Sequence, residues 1–169
     1  SSDLLILKET LISWDSVKQE GDIIELYSLQ KKFIAKAYHG IQNKGYGWIL
    51  TYDKNEKIDQ NFFEKKIKEA IDYRKNFFEN KATTAFRIFN GEGDGIGGLT
   101  IDYFDDFYLF TWYSLGIYHF KEIILNAFRS SVNYKGIYQK KRFNTKGGYL
   151  SDEDDFIDGQ KANFPIIIK

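Results

Sequence analysis

Covalent catalysis needs a nucleophile or a tuned proton shuttle, and this chain offers few: it has no Cys, and its only histidines are His39 and His119. Without cysteine there is no thiolate nucleophile, no disulfide and no thiolate metal site, and two histidines cannot build a His-type metal cluster, so no metal is expected. A Ser-His-Asp arrangement would lack the Gly-x-Ser-x-Gly nucleophile elbow. Ser114, Ser130 and Ser131 read instead as helix-end residues. Asp102, Asp105 and Asp106 are close in sequence, but the last two fall where a hairpin turn favours Asp for backbone reasons.

The segment Gly91-Glu92-Gly93-Asp94-Gly95-Ile96-Gly97-Gly98 has the composition of a phosphate-cradling loop. Such a loop must hand its ligand to a helix N-terminus, yet Leu99 to Phe104 continues as a strand, and no Gly-Lys-Ser/Thr follows. A calcium loop beginning at Asn90 would need a bidentate Glu at its twelfth position, where Ile101 stands. What remains is a turn between two strands that needs positive φ angles.

Two basic clusters carry the clearest binding signal. Between Leu26 and Leu50 lie Lys31, Lys32, Lys36 and Lys44 with no acid, interleaved with Tyr27, Phe33, Tyr38, Tyr46 and Trp48. Lysines that follow phosphates and rings that stack on unpaired bases make an RNA-facing surface. The other reading puts the rings in a small-barrel core and the lysines on its polar face. The second cluster is Lys135, Lys140, Lys141, Arg142 and Lys146, again without an acid; it could neutralise several phosphates or be a solvated loop.

The elements that must position these residues follow from periodicity. Short apolar bursts at Asp22–Tyr27, Phe33–Tyr38 and Tyr46–Thr51, with turns at Gly21, Gly40 and Gly45, predict a small barrel or sandwich. The polar stretch Asp53–Gln60 reads as a linker. Apolar residues at helical spacing predict a long helix over 61–80, capped by Asn61 or Asp59 with Glu64 reaching back in a capping box. A strand at 85–89, the Gly-rich stretch 90–99, a hairpin over 99–113 turning at Asp105-Asp106, a helix over 116–131 and a strand from Gly136 make an α+β unit. The acidic run Ser151–Asp158 reads as a loop before a last strand at Phe164–Lys169.

With 169 residues, 43% hydrophobic and 28% charged, the chain has room for one ordinary or two small domains and is not disordered. Its 24 basic and 24 acidic residues exclude a globally basic nucleic-acid binder but not a basic face. The absence of Cys, of a leader-like start and of any apolar run of spanning length points to the cytoplasm and away from membranes. The lack of any Met and the strand-like finish read as part of something longer.

Against this background, Phe86-Arg87-Ile88-Phe89-Asn90 followed by Gly91 to Asp102 resembles the Arg-x-x-x-Gly-Glu-Gly-Asp-Gly-x-x-Gly-Leu-x-x-Asp signature of a known family. These are the bacterial S-adenosylmethionine-dependent large-subunit rRNA cytosine-C5 methyltransferases, built from a PUA domain, a central α/β domain and a Rossmann-like catalytic domain. The signature residues are Arg87, Gly91, Glu92, Gly93, Asp94, Gly95, Gly98 and Asp102. Gly21–Tyr27 and Phe33–Tyr38 are similar to the PUA portion, and Gly136-Ile137-Tyr138 to the strand after the central helix. Ala37 and Gln139 stand where members usually have Gly and Glu, and the first PUA strand near Leu4 is expected to be missing.

The resemblance implies an α+β chain: a partial PUA-like β-barrel over 1–55, then a central domain over 56–169 with a mixed or antiparallel sheet of strand-strand-helix-strand-strand type. It implies that S-adenosylmethionine and the catalytic cysteine belong to a methyltransferase domain outside this chain, because C5 attacks only after a thiolate has added to C6 of the flipped-out base. Catalytic and cofactor-binding residues are then expected to be absent here, with large-subunit rRNA and the methyltransferase domain as partners and a homodimer compatible with the sequence. Charge and aromatic content nominate Lys31, Lys32, Lys36, Lys44, Tyr46, Trp48, Lys140, Lys141 and Arg142 as RNA contacts. The alternative is a stand-alone RNA-binding or protein-docking module.

Overall fold

A computed structural model describes residues 4–11, 13, 17, 19–143 and 156–163. Lys146, most of the acidic run and the expected last strand at 164–169 lie outside the described residues. Strands β1 (Leu5–Leu7), β2 (Ile23–Tyr27), β3 (Phe33–Gln42) and β4 (Gly45–Thr51) form an antiparallel sheet in the order β1-β4-β3-β2. A strand thus does begin at Leu5, contrary to expectation, with Leu5 opposite Trp48. Among the described residues β1 and β2 are edges, so this sheet is open rather than a closed barrel.

Period-two alternation gives the sheet two apolar faces. Ile6, Ile24 and Ala37 pack with Leu26 and Ile49 on one side. On the other, Tyr38, Trp48 and Leu50 join the large core that also holds Phe63, Ile101, Trp112, Ile117 and Phe128.

Helix α1 (Gln60–Tyr73) starts at Asp59, whose carboxylate accepts the Phe62 N–H at 3.0 Å. Asn61 is not the cap. Glu64 closes no capping box, because it lies two residues beyond the position that faces the Asp59 cap; it accepts from Gln60 and from Ser130 of the later helix. The expected helix over 61–80 breaks at Arg74, whose N–H bonds three residues back to Ile71. A short α2 (Lys75–Glu79) follows and brings Phe77 and Phe78 against Phe86. The break lets Arg74 turn its guanidinium onto Asp94, an ion pair seen from neither sequence segment alone.

The second sheet runs β5 (Ala85–Asn90), β6 (Leu99–Phe104), β7 (Phe107–Trp112), β8 (Gly136–Lys141) and β9 (Phe156–Gly159) in sequence order. The two-residue turn at Asp105-Asp106 is present, with φ of 46° and 67°, the mirror-image turn that suits strand twist. β7 and β8 are parallel and the other pairs antiparallel, so the sheet is mixed, and three strands rather than two precede its helices.

The crossover between β7 and β8 is two helices, α3 (Leu115–Tyr118) and α4 (Lys121–Ser131), not the single one expected over 116–131. They have different partners: α4 packs against α1, whereas α3 lies on β3. That second contact needs Gly116, where a Cβ would sit 2.2 Å from the His39 carbonyl oxygen. Ser114 caps α3 by accepting the Ile117 N–H at 3.2 Å. No described helix is long and apolar enough to cross a membrane.

Candidate nucleic-acid interface

The contact of α3 with β3 sets the β3–β4 hairpin tip beside the carboxyl ends of β7 and β8. A cleft of about 760 Å³ and another of about 570 Å³ lie near the nominated residues. The larger lies between β4, α1 and the Gly-rich loop; Lys65, Lys66 and Arg74 there face Glu56, Glu69, Glu92 and Asp94, so it has no cationic excess for a phosphate. The smaller is at the end of the parallel strand pair, where ligands of open α/β sheets characteristically bind. Lys141 and Arg142 line it against one carboxylate, Glu20. One Glu20 oxygen is already engaged, accepting the Ile41 N–H at 2.7 Å.

Opposite the cations, the wall is the hairpin tip, Ile41, Gln42 and Asn43, with Tyr113, Leu115 and Phe143 completing the cleft. Ile41 and Leu115 are 56% and 41% exposed, large aliphatic surfaces left to water. The Gln42 Oε1 atom is buried and accepts no hydrogen bond. Phe143 meets the Tyr118 ring at 5.5 Å, and that ring also carries the ammonium groups of Lys141 (5.2 Å) and Lys121 (5.4 Å).

Beneath the cleft, Tyr38 is fully buried and donates to the Gly97 carbonyl. Burial pushes its hydroxyl well up from the ordinary tyrosine range; a hydrogen bond with Ser114 opposes the rise, and the charges of Glu20 and Glu92 add to it. It is a neutral strut between the two sheets, not a proton shuttle.

The nominated residues do not form one surface. Lys31 and Lys32 are exposed at the β2–β3 turn, while Lys44 is at the β3–β4 turn, at the other end of the 10-residue β3. Ten strand residues separate them by about 30 Å. Lys36 spends its ammonium group on the Glu56 carbonyl at 2.7 Å. Tyr46 and Trp48 are 9% and 6% exposed and cannot stack on a base. The core reading is right for both: Trp48 packs on Gly97, where a Cβ would meet its ring at 2.2 Å.

Lys140 and Lys141 point to opposite faces of β8. Gln139, on the Lys141 side, accepts from the Trp112 indole at 3.2 Å, so only Lys141 and Arg142 reach the cleft. Sequence reasoning missed Gln42, Asn43, Tyr113 and Phe143, for which only the turn at Asn43-Lys44 left a sign. It also missed Lys54, whose ammonium lies 5.5 Å from the Tyr27 ring and 6.0 Å from Phe33, beside the Lys31–Lys32 turn.

The Gly-rich segment is a joint. A 3-10 turn at Gly91–Asp94 leads through Gly95 and Gly98, with φ of 92° and 86°, into β6. Asp94 takes a bidentate pair from Arg74 at 2.9 and 2.8 Å and accepts the Asn90 N–H at 2.6 Å. Arg87 pairs with Asp102 across β5 and β6 at 2.9 Å. Glu92 and Gly93 are exposed. Among the described residues no cluster of metal-ligating side chains exists.

With the cleft and the joint defined, comparison with known proteins places the first sheet. Residues 3–52 match the family model of a PUA-like domain. Nearly the whole chain is similar to YwbD of Bacillus subtilis, a candidate ribosomal RNA large-subunit methyltransferase: 50% identical over 167 residues, 98% of this chain and 42% of the relative. Ribosomal RNA large subunit methyltransferase I of Aeromonas hydrophila is 28% identical over 152 residues, 89% of this chain and 38% of its own.

Among solved structures, a candidate SAM-dependent methyltransferase from Streptococcus mutans superposes with a TM-score of 0.82 at 35% identity, over 95% of this chain and 40% of that one. A candidate methyltransferase crystallised with SAH gives 0.81 at 34% identity, over 94% of this chain and 39% of its own. The chain thus spans about two fifths of the length of these relatives. The mixed α/β architecture with a PUA-like sheet is shared with S-adenosylmethionine-dependent methyltransferases.

Proposed function

We propose that this chain is the RNA-positioning part of a cytoplasmic, S-adenosylmethionine-dependent large-subunit rRNA methyltransferase, with the 1–55 and 56–169 units acting together to hold substrate for a methyl-transfer site built by other residues. The observation that carries the reading is the cationic cleft formed where the PUA-like sheet meets the carboxyl ends of β7 and β8. Arg142 and Lys141 supply the phosphate charge there, and Lys31 and Lys32 with Lys54 supply a second contact at the far end of β3. Cytosine C5 as the target follows from the signature resemblance.

Methyl-transfer chemistry has no support among the described residues. The chain holds no cysteine to add to a pyrimidine. The Gly-rich loop offers S-adenosylmethionine no helix N-terminus: Gly95 N–H bonds to Glu92 and Ile96 N–H to Gly91, and the chain continues as a strand. The test is the affinity of the 169-residue chain for a large-subunit rRNA fragment across a salt series, with S-adenosylmethionine titrated on the same sample. Log affinity falling linearly and steeply with log salt, without cofactor binding, is expected. Salt-insensitive indifference to RNA would overturn the RNA role, and cofactor binding would overturn the division of labour.

A further inference from the structure

The cleft is chemically more specific than a phosphate groove needs to be. Phosphate contacts require only cations and N–H donors on an accessible ridge. Here the cations sit at the rim of a concavity of about 570 Å³, within the range of sites that enclose small ligands. Its walls offer two aromatic rings, Tyr113 and Phe143, and the aliphatic side chains Ile41 and Leu115. Flat apolar surface of this kind is covered by the face of a base, and single-stranded RNA is recognised in that way when a nucleotide leaves its stack.

The amides supply the other half. Gln42 holds a buried oxygen with no donor, a group whose desolvation is left uncompensated in the free protein. Neighbouring Asn43 lines the same wall and is held at φ 53° by the two-residue turn. A turn of the Gln42 side chain would bring that oxygen to an N–H on a base edge; phosphate oxygens, which only accept, cannot satisfy it. From this geometry we infer that the cleft captures one unstacked RNA nucleotide, its base against the rings and aliphatics, its edge toward Gln42 and Asn43, and its phosphate at Arg142.

This rests on the RNA reading above and is tested separately from it. Fluorescence anisotropy would compare three labelled hairpin RNAs: one with a single-nucleotide bulge, one with an abasic residue at the bulge, and one fully paired. The bulged RNA is expected to bind about tenfold tighter than the abasic one, the order of one base stacked on aromatic side chains. Gln42→Leu and Asn43→Gly should each shrink that ratio. Asn43→Gly removes the amide while glycine keeps the positive φ, so the turn survives. Arg142→Gln, at an exposed residue, should weaken all three RNAs alike and reduce the salt slope by about 1. Equal, salt-dependent affinity for the three RNAs would overturn base capture and leave the RNA role standing. No salt-dependent binding of any would overturn both.

Discussion

Gly116 makes the sharpest test of how the two sheets are joined. It lies inside helix α3, where replacing Gly by Ala ordinarily stabilises by about 1 kcal/mol. In this structure the added Cβ would sit 2.2 Å from the His39 carbonyl oxygen and 2.6 Å from Gly40 Cα, both backbone atoms that no side-chain rotation can move aside. Overpacking costs about 1–3 kcal/mol, and contact with backbone on both sides puts this case in the upper half of that range. Net of the helical gain, Gly116→Ala should lose about 1–2 kcal/mol, lowering Tm by roughly 2–8 °C for a chain of this size. The assay is thermal and urea unfolding beside Gly93→Ala, whose Cβ would meet only the Asn90 amide nitrogen at 3.9 Å and should change stability by less than about 0.5 kcal/mol. A Gly116→Ala protein that melts higher than the parent would refute the close approach of α3 to β3, and with it the wall of the cleft.

Three other perturbations follow. Asp94→Asn leaves the Arg74 guanidinium, largely buried with 13% of its side chain exposed, without its counter-charge, and should cost about 3 kcal/mol in urea unfolding. Burial raises the pKa of both Tyr38 and Tyr108; a raised folded pKa gives stability that is intact below the unfolded value near about 10 and lost as pH climbs through the folded one, so of the twelve tyrosines the last share of tyrosinate absorbance should appear only together with alkaline unfolding. Charge reversal of the exposed Lys31 and Lys32 should weaken RNA binding and flatten its salt dependence, and an unchanged salt slope would remove that turn from the contact surface.

What the sequence could convey depended on whether the signal was local. The Asp105-Asp106 turn, the Asp59 cap and the strand following the Gly-rich stretch are set by neighbouring residues, and each is where its pattern puts it. The helix breaks at Arg74 and at His119-Phe120 are not local: one comes with an ion pair to a loop 20 residues on, the other with two halves of a crossover gripping different partners. Tyr46 and Trp48 failed for a related reason. Alternation says that neighbours face opposite ways, but not that a second sheet covers one of those faces. The cleft was legible only in Lys141 and Arg142, because its hairpin wall lies about a hundred residues away in the chain.

Strand β3 fixes a length as well as a fold. Its two ends carry the Lys31–Lys32 turn and the wall of the cleft, and its middle, through Tyr38, is buried in a core common to both sheets, which anchors the strand between them. Two weak contacts held about 30 Å apart by such a bar would act as a bivalent ligand whose second arm closes only on a target long enough to reach it. On the proposed RNA role, short oligonucleotides would engage one end at a time and affinity would rise abruptly once the RNA spans the bar, so that binding would depend on the length of the RNA as well as on its charge.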